Sequence, residues 1–263
     1  MNKIVKLRNS IGRFAFNSLS TLLLFVLWEI ASLTVLKDNG ILPDPITIIV
    51  DLWGVLTTTD YITQHLFPSV RRALTGFALA VVVGLFLAFT LSTFAKALKP
   101  AIVPILRFFE KINPIALFPV FMLLLGIGEL SKVLIIFWVV VWTITFYAID
   151  GLSDVDNNLI ESAKSMGAGK IEVFRKVYIP AALPIIFHGI KFAASMSFLF
   201  LISVEMLSSS RGIGWYLVAA KNEYNLPHLY GTVILVAIIG IIISEGLGNI
   251  EKVLFPWKQQ LEY

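Results

Sequence analysis

The sequence predicts an all-α fold that crosses a lipid bilayer several times, and three observations carry that expectation. The 263 residues are 57% hydrophobic and only 14% charged, where a soluble domain has roughly 25% charged residues. The apolar residues gather into six long, nearly uncharged runs, at 14–36, 73–94, 112–128, 133–149, 181–204 and 225–244. A spanning helix needs about 20 mainly apolar residues, and the third and fourth runs sit at the lower limit. The runs are continuous rather than alternating, which argues against the segments of about ten residues of a membrane β-barrel. Open strands are excluded because hydrocarbon offers no partner to backbone N–H and C=O groups.

The first run follows a basic start, and no small-x-small cleavage site follows it, so it reads as an uncleaved first span. Glu29 lies within it and is expected to be structural. In the connection that follows, Pro43-Asp44-Pro45 reads as a turn, with Asp44 as helix cap and Pro45 at the first helical position. Ile46, Ile49, Val50, Trp53, Val55 and Leu56 then suggest a short amphipathic helix at the membrane interface. Arg71 and Arg72, just before the second run, are expected to anchor at that interface.

Residues 98–113 carry Arg107, Glu110 and Lys111 at helical spacing and should lead into the third span. Pro114 and Pro119 fall at or inside that span, where a proline bends the helix. The bend serves either packing or a solute pathway, since broken membrane helices face protein or a water-filled route. Gly126 to Ser131 reads as a tight turn between spans three and four. After span five, Ser208 to Gly214 reads as a flexible loop, with Trp215 and Tyr216 in an apolar interfacial patch.

Six spans place both termini on one side, and the positive-inside rule orients them. With the termini inside, Lys3, Lys6, Arg8, Arg13, Lys96, Lys99, Lys164, Lys170, Arg175, Lys176, Lys252 and Lys258 are cytoplasmic. Only Lys37, Arg71, Arg72, Lys132, Arg211 and Lys221 are then outside. Arg107, Lys111 and Lys191 lie in or beside spans.

The residues at 154–180 form a polar island between spans four and five, placed in the cytoplasm by this topology. Asp154 or Asp156 can cap a helix running to about Met166, Gly167 or Gly169 supplies a turn, and a second helix carries Ile171, Phe174, Val177 and Tyr178 on one face. Pro180 and Pro184 mark the start of span five. The acids Asp154, Asp156, Glu161 and Glu172 balance Lys164, Lys170, Arg175 and Lys176. That balance argues against a nucleic-acid or lipid-binding patch. The island is either an ordinary solvated loop or a compact docking knob.

Among charges in the spans, Lys191 either snorkels to the interface or faces a pathway, and Glu205 closes span five as the best candidate for a pathway residue. The chain has no cysteine, which excludes disulfides and cysteine–zinc sites. The three histidines form no metal motif, and no metal site is expected. His65 and His228 are expected at the interface, and His188 packed in span five. Gly167-Ala168-Gly169-Lys170-Ile171 is not a phosphate loop, because Ile follows the lysine and the first glycine is missing.

The island resembles the ATPase-coupling motif of permease subunits in bacterial binding-protein-dependent ABC importers. That motif runs Glu-Ala-Ala, three residues, Gly, nine residues, Ile, one residue, Leu-Pro. Glu161, Ala163, Gly167 and Pro180 match it, and Ser162, Val177 and Ile179 are mild replacements. Supporting pieces are Ser69-Val70-Arg71-Arg72 with Gly76-Phe77, Pro114 and Pro119 before Gly126-Ile127-Gly128-Glu129, Pro180-Ala181-Ala182-Leu183-Pro184, Glu205-Met206 and Gly212-Ile213-Gly214-Trp215. In order and spacing they are similar to the nitrate/sulfonate/taurine-type branch. The resemblance implies that Glu161, Ser162, Ala163, Gly167, Ala168, Gly169, Val177, Ile179 and Pro180 couple to an ATPase. It implies a homodimer in the inner membrane, two separate ATP-binding cassette subunits that hold ATP and Mg, and an extracytoplasmic solute-binding protein. This chain itself then needs no cofactor and is not an enzyme. Across the branch the solutes include nitrate, sulfonates, taurine and vitamin or pyrimidine precursors. The alternative from another class is an ATP-independent channel or secondary transporter, which predicts ionisable residues spread through the spans and inverted repeats. Neither is evident. A membrane enzyme would need a catalytic cluster, and none is found.

Overall fold

The computed structural model describes residues 23, 26–30, 32, 42–95 and 97–256, and all regular structure among them is helical. The first expected span, 14–36, therefore lies largely outside the described residues. The helices are α1 (Pro45–Thr57), α2 (Thr59–Thr93), α3 (Lys99–Glu110), α4 (Pro114–Leu125) and α5 (Glu129–Ser153). They continue with α6 (Asn157–Ser165), α7 (Lys170–Ser208), α8 (Ile213–Asn222) and α9 (Leu226–Leu254).

Four of these, α2, α5, α7 and α9, are long and apolar enough to cross a membrane. Each outruns the hydropathy run that predicted it, because its polar ends find partners and stay helical. The expectation of one helix over 112–128 is corrected. That stretch belongs to a broken pair, α3 and α4, bent by 89°. Each piece has 12 residues, about 18 Å of helix, against about 30 Å of hydrocarbon. The break is local in origin. Asn113 caps α4 by accepting from the Ile115 amide at 3.0 Å, and Pro114 takes the first helical position, where its missing N–H costs nothing. Pro104 and Pro119 lie inside the two pieces.

The chain divides into two compact units. The smaller combines residues up to Tyr61 with Leu217–Leu235. In it Asp44 caps α1 by accepting from the Thr47 amide at 2.9 Å, with Pro45 next, as expected. Ile48 is fully buried, and a Cβ on Gly231 would lie only 3.5 Å from Leu52 Cβ, so α1 packs closely on α9 there. The opposite stripe, Ile46, Ile49, Val50 and Trp53, is exposed, which gives the apolar face the spacing predicted. His228 Nδ1 lies 2.7 Å from Asp51 Oδ1.

The larger unit holds Ile62–Tyr216 and residues from Val236 onward. Its centre is α5, where Ile135, Ile136, Val140, Val141 and Ile144 are almost completely buried between α2 and α7. Close approach is bought by small residues. Ala73, Gly76, Ala80, Gly84 and Ala88 run down the buried face of α2, and a Cβ on Gly76 would sit 2.9 Å from Ile136. Gly151 of α5 meets the Ala182 carbonyl of α7 in the same way. Membrane helices attract mainly through such packing, because lipid removes the hydrophobic incentive. Thr145 adds a polar tie, donating to Val141 O at 2.7 Å and lying 3.3 Å from Gly84 O on α2.

Candidate functional site: the 154–180 segment and a buried ion cluster

The polar island folds as a helix, a sharp reversal and the start of a very long helix. Asp156 caps α6 by accepting from the Asn158 amide at 2.8 Å, whereas Asp154 ends α5. Gly167 has φ +86°, a conformation that only glycine adopts without strain. Its N–H donates to Lys164 O at 2.9 Å and the Ala168 N–H to Ala163 O at 3.1 Å. These two bonds make a Schellman closure, and Ala168 packs on the cluster that holds Ala163, the apolar contact such closures carry. Gly169 then caps the next helix in extended backbone.

From Lys170 the chain is helical without interruption to Ser208, over 39 residues. Pro180 and Pro184, read from the sequence as the start of span five, lie inside this helix, which begins ten residues before Pro180. A wide π turn over Phe174–Tyr178 immediately precedes Pro180. A proline ring clashes with the carbonyl four residues back, and the widened turn makes room for it.

The residues that the resemblance assigns to coupling come together. Ile160, Ala163 and Val173 are buried with Ile149, Leu152 and Val155 of the α5 end, and Ala168, Val177 and Tyr178 pack against them. Glu161, Ser162, Gly167, Gly169 and Pro180 lie at the surface, and Ile179 is half-buried. One side chain is corrected: Ile171 is 83% exposed, and Val173 takes the inward place. With Met166, 81% exposed, and Leu159, Ile171 gives the knob an apolar outer surface edged by charges. Sequence reasoning missed Met166 and Leu159, because helical spacing alone does not say which side of a short helix the core takes.

The four pathway candidates do not form one site. Pro114 and Pro119 sit in α4. Lys191 pairs with Glu251 of α9 at 3.4 Å, which ties the two helices. Glu205 lies 14 residues further along α7, about 21 Å at 1.5 Å per residue.

Glu205 is completely buried at the centre of an ion cluster. Its carboxylate takes Arg72 Nη1 at 2.6 Å, Ser69 Oγ at 2.7 Å and the Gly214 amide at 3.0 Å. Arg72, 3% exposed, forks onto Glu129 with Nε at 2.7 Å and Nη2 at 2.5 Å, and donates to Arg211 O at 2.9 Å. Arg72 is thus a buried structural cation, not the interfacial anchor the sequence suggested. Ser69 accepts from the Ile213 amide at 2.9 Å. His65 Nδ1 lies 3.2 Å from Gly212 O, and its ring stacks on Trp215 at 5.2 Å. The histidine is buried rather than interfacial. Gly212, at φ +120°, lies so close that a Cβ there would meet the Glu205 carboxylate. The expected loose loop is therefore clamped, and Trp215 and Tyr216 belong to α8. Opposite charges near the ends of three apolar runs were the available signal for this cluster.

Comparison with known proteins agrees with this architecture. Residues 80–256, more than half of the chain, match the family described as binding-protein-dependent transport system inner membrane component. The taurine transport system permease protein TauC of Escherichia coli is 25% identical, over 98% of this chain and 95% of its own length. The putative aliphatic sulfonates transport permease protein SsuC of Bacillus subtilis is 26% identical, over 97% and 93%. The nitrate import permease protein NrtB of Synechocystis is 25% identical, over 90% and 88%. An inward-facing structure of the MetNI methionine ABC transporter has TM-score 0.56 at 19% identity and covers 80% of this chain and 98% of its own. A bacterial ABC transporter involved in import of the polysaccharide alginate has TM-score 0.60 at 12% identity, with 94% and 98% covered. These structures share the fold. Helical spans packed through small residues and the family match lead to one conclusion: the chain belongs to the inner-membrane permease family of binding-protein-dependent ABC importers.

Proposed function

We propose that two copies of this permease pair in the membrane, with N- and C-termini cytoplasmic, and that the 154–180 segment of each docks on one ATPase subunit. The observation that supports this reading most directly is the joint between α6 and α7. A short helix with an exposed apolar surface is closed by Gly167 onto the start of a single 39-residue helix. Movement imposed on the knob passes into a membrane helix with no flexible linker between them. Hydrolysis then acts on the permease only through the difference in affinity of the ATPase pair for two conformations. ATP and Mg are held by the ATPase, and this chain carries no cofactor. In the coupling segment, Glu161 and Ser162 supply polar contacts. Ala163, Ala168, Val177 and Ile179 hold the knob to α5 and α7, and Gly167, Gly169 and Pro180 set its angle.

The solute is small and is delivered by an extracytoplasmic binding protein. The names of similar permeases, for taurine, aliphatic sulfonates, nitrate and formylaminopyrimidine, support an anionic or heteroaromatic compound. Pro114, Pro119, Lys191 and Glu205 are assigned to helices that change position during transport rather than to one binding site.

The test is co-purification. Gly167→Val puts a β-branched residue into left-handed backbone, at about 1–2 kcal/mol, and Glu161→Lys reverses a surface charge. Both variants should reach the membrane at normal levels yet lose the ATPase subunits and transport. Retention of both would overturn the coupling assignment. Ligand-dependent stabilisation of the binding protein from the same chromosomal neighbourhood would identify the solute.

A further inference from the structure

Among the described residues, two indole N–H groups on α5 have no acceptor. Trp138 and Trp142 stand one turn apart, with ring centroids at 5.2 Å and planes at 83°. Both Nε1 atoms are covered by protein and make no hydrogen bond. A covered donor without an acceptor is costly and uncommon in native proteins, so the pair calls for a physical reason. Phe109 of α3 stacks on Trp142 at 5.9 Å and meets Trp138 edge-on at 5.8 Å. Phe121 of α4 meets Trp138 at 6.3 Å. One turn further along α5, the Arg107 guanidinium lies 4.5 Å over the Phe146 ring. Among the described residues no carboxylate pairs with Arg107. Glu110, its neighbour on α3, lies 3.4 Å from Lys111 Nζ, and its covered Oε2 makes no hydrogen bond among the described residues.

Indole N–H and guanidinium donate and cannot accept. Along about 12 Å of α5, the two indoles and the Arg107 guanidinium laid against them therefore each ask for an acceptor, and Arg107 carries a positive charge. The wall opposite is the pair α3 and α4, broken by 89°. Broken membrane helices face protein or a water-filled route.

We propose that Trp138, Trp142 and Arg107 form a station on the solute route for an oxyanion group such as a sulfonate or carboxylate. Its oxygens accept from the two indoles, and Arg107 balances its charge. In the conformation seen the N–H groups are covered, so the station is closed, and displacement of α3 and α4 about their break opens it. This assignment rests on the importer reading and names a binding site within it. A lipid phosphate offers the same acceptor chemistry, and the test separates the two.

The complete permease–ATPase complex is placed in nanodiscs of phosphatidylcholine alone. Methanesulfonate is titrated as the probe, with dimethyl sulfone as its uncharged counterpart, and thermal stability is read. The benzothienyl analogue of tryptophan, in which sulfur replaces the N–H, is introduced at positions 138 and 142. Methanesulfonate should raise the melting temperature of the natural complex more than dimethyl sulfone does. Its apparent affinity should fall at least tenfold in the double analogue and in Arg107→Gln. Without probe, the double analogue should melt no lower than the natural complex, and a lower melting temperature overturns the proposal, because the two N–H groups would then be bonded within the fold. Equal stabilisation of natural and analogue complexes, or none in either, overturns the proposal. So does stabilisation that arises only when phosphatidylglycerol is added, since the acceptor is then lipid. Absence of the ATPase subunits from the natural complex would instead count against the coupling assignment, and the same preparation shows it.

Discussion

Arg72 connects more of the chain than any other side chain described, holding Glu129, Glu205 and the Arg211 carbonyl at once. Removing one partner of a buried ion pair leaves an uncompensated charge, at about 3–5 kcal/mol. Arg72→Ala and Glu205→Ala should each lower the unfolding temperature of the purified protein markedly, and the double variant should lose less than the two losses added. Additive losses in thermal melts would mean that the two residues do not interact. Gly212→Ala should destabilise as well, because the new Cβ meets the Glu205 carboxylate at φ +120°. Asp44 behaves differently, being half-buried and without a partner charge in its helix cap. Its bond from the Thr47 backbone amide holds its pKa below the ordinary 3.8. A depressed carboxylate stabilises the folded state above its unfolded value and loses that contribution as pH falls through the folded value. The α1 cap should therefore persist through neutral pH and weaken only in acid, and Asp44→Asn should flatten that acid limb in amide exchange of residues 46–48. The sequence pointed to Glu205 as a charge worth weighing but read Arg72 as an anchor. A single charge beside an apolar run looks the same whether it faces headgroups or a carboxylate from a helix more than a hundred residues away.

Elements were legible in proportion to how local their causes are. Asp44-Pro45 and Asp156 announce helix starts through side chains that bond their own turn, and Gly167 announces a helix end through a backbone angle. Asp156→Ala should cost about 1 kcal/mol of local stability, read as faster amide exchange in α6 with little change in expression. The break between α3 and α4 was half legible. Pro114 was noticed, but a proline is read as a kink or a helix start depending on whether the preceding residue caps it, and Asn113 does so here. The π turn that accommodates Pro180 was not legible, because it leaves no mark in composition. Ends of the long helices were underestimated where polar residues stay helical by finding partners, as Glu129 and Glu251 do.

The assembled molecule should contain two permease chains and two ATPase chains, and native mass spectrometry of the detergent-extracted complex would read that ratio directly. A single permease chain per particle would reject the pairing. Within each chain, α7 runs from the 154–180 knob to the buried carboxylate of Glu205. Because it is one helix, the two ends share an angular phase as well as a length. Each residue turns an α-helix by about 100°. One residue inserted between Phe192 and Leu199, far from either end, would swing Glu205 away from Arg72 while leaving the knob's own fold intact. A second and third insertion would continue the rotation, and a fourth would bring the carboxylate back to within about 40° of its starting direction. Stability measured across such a series should therefore dip and partly recover, so that the ion cluster acts as a gauge of the rotational setting between the two ends of α7.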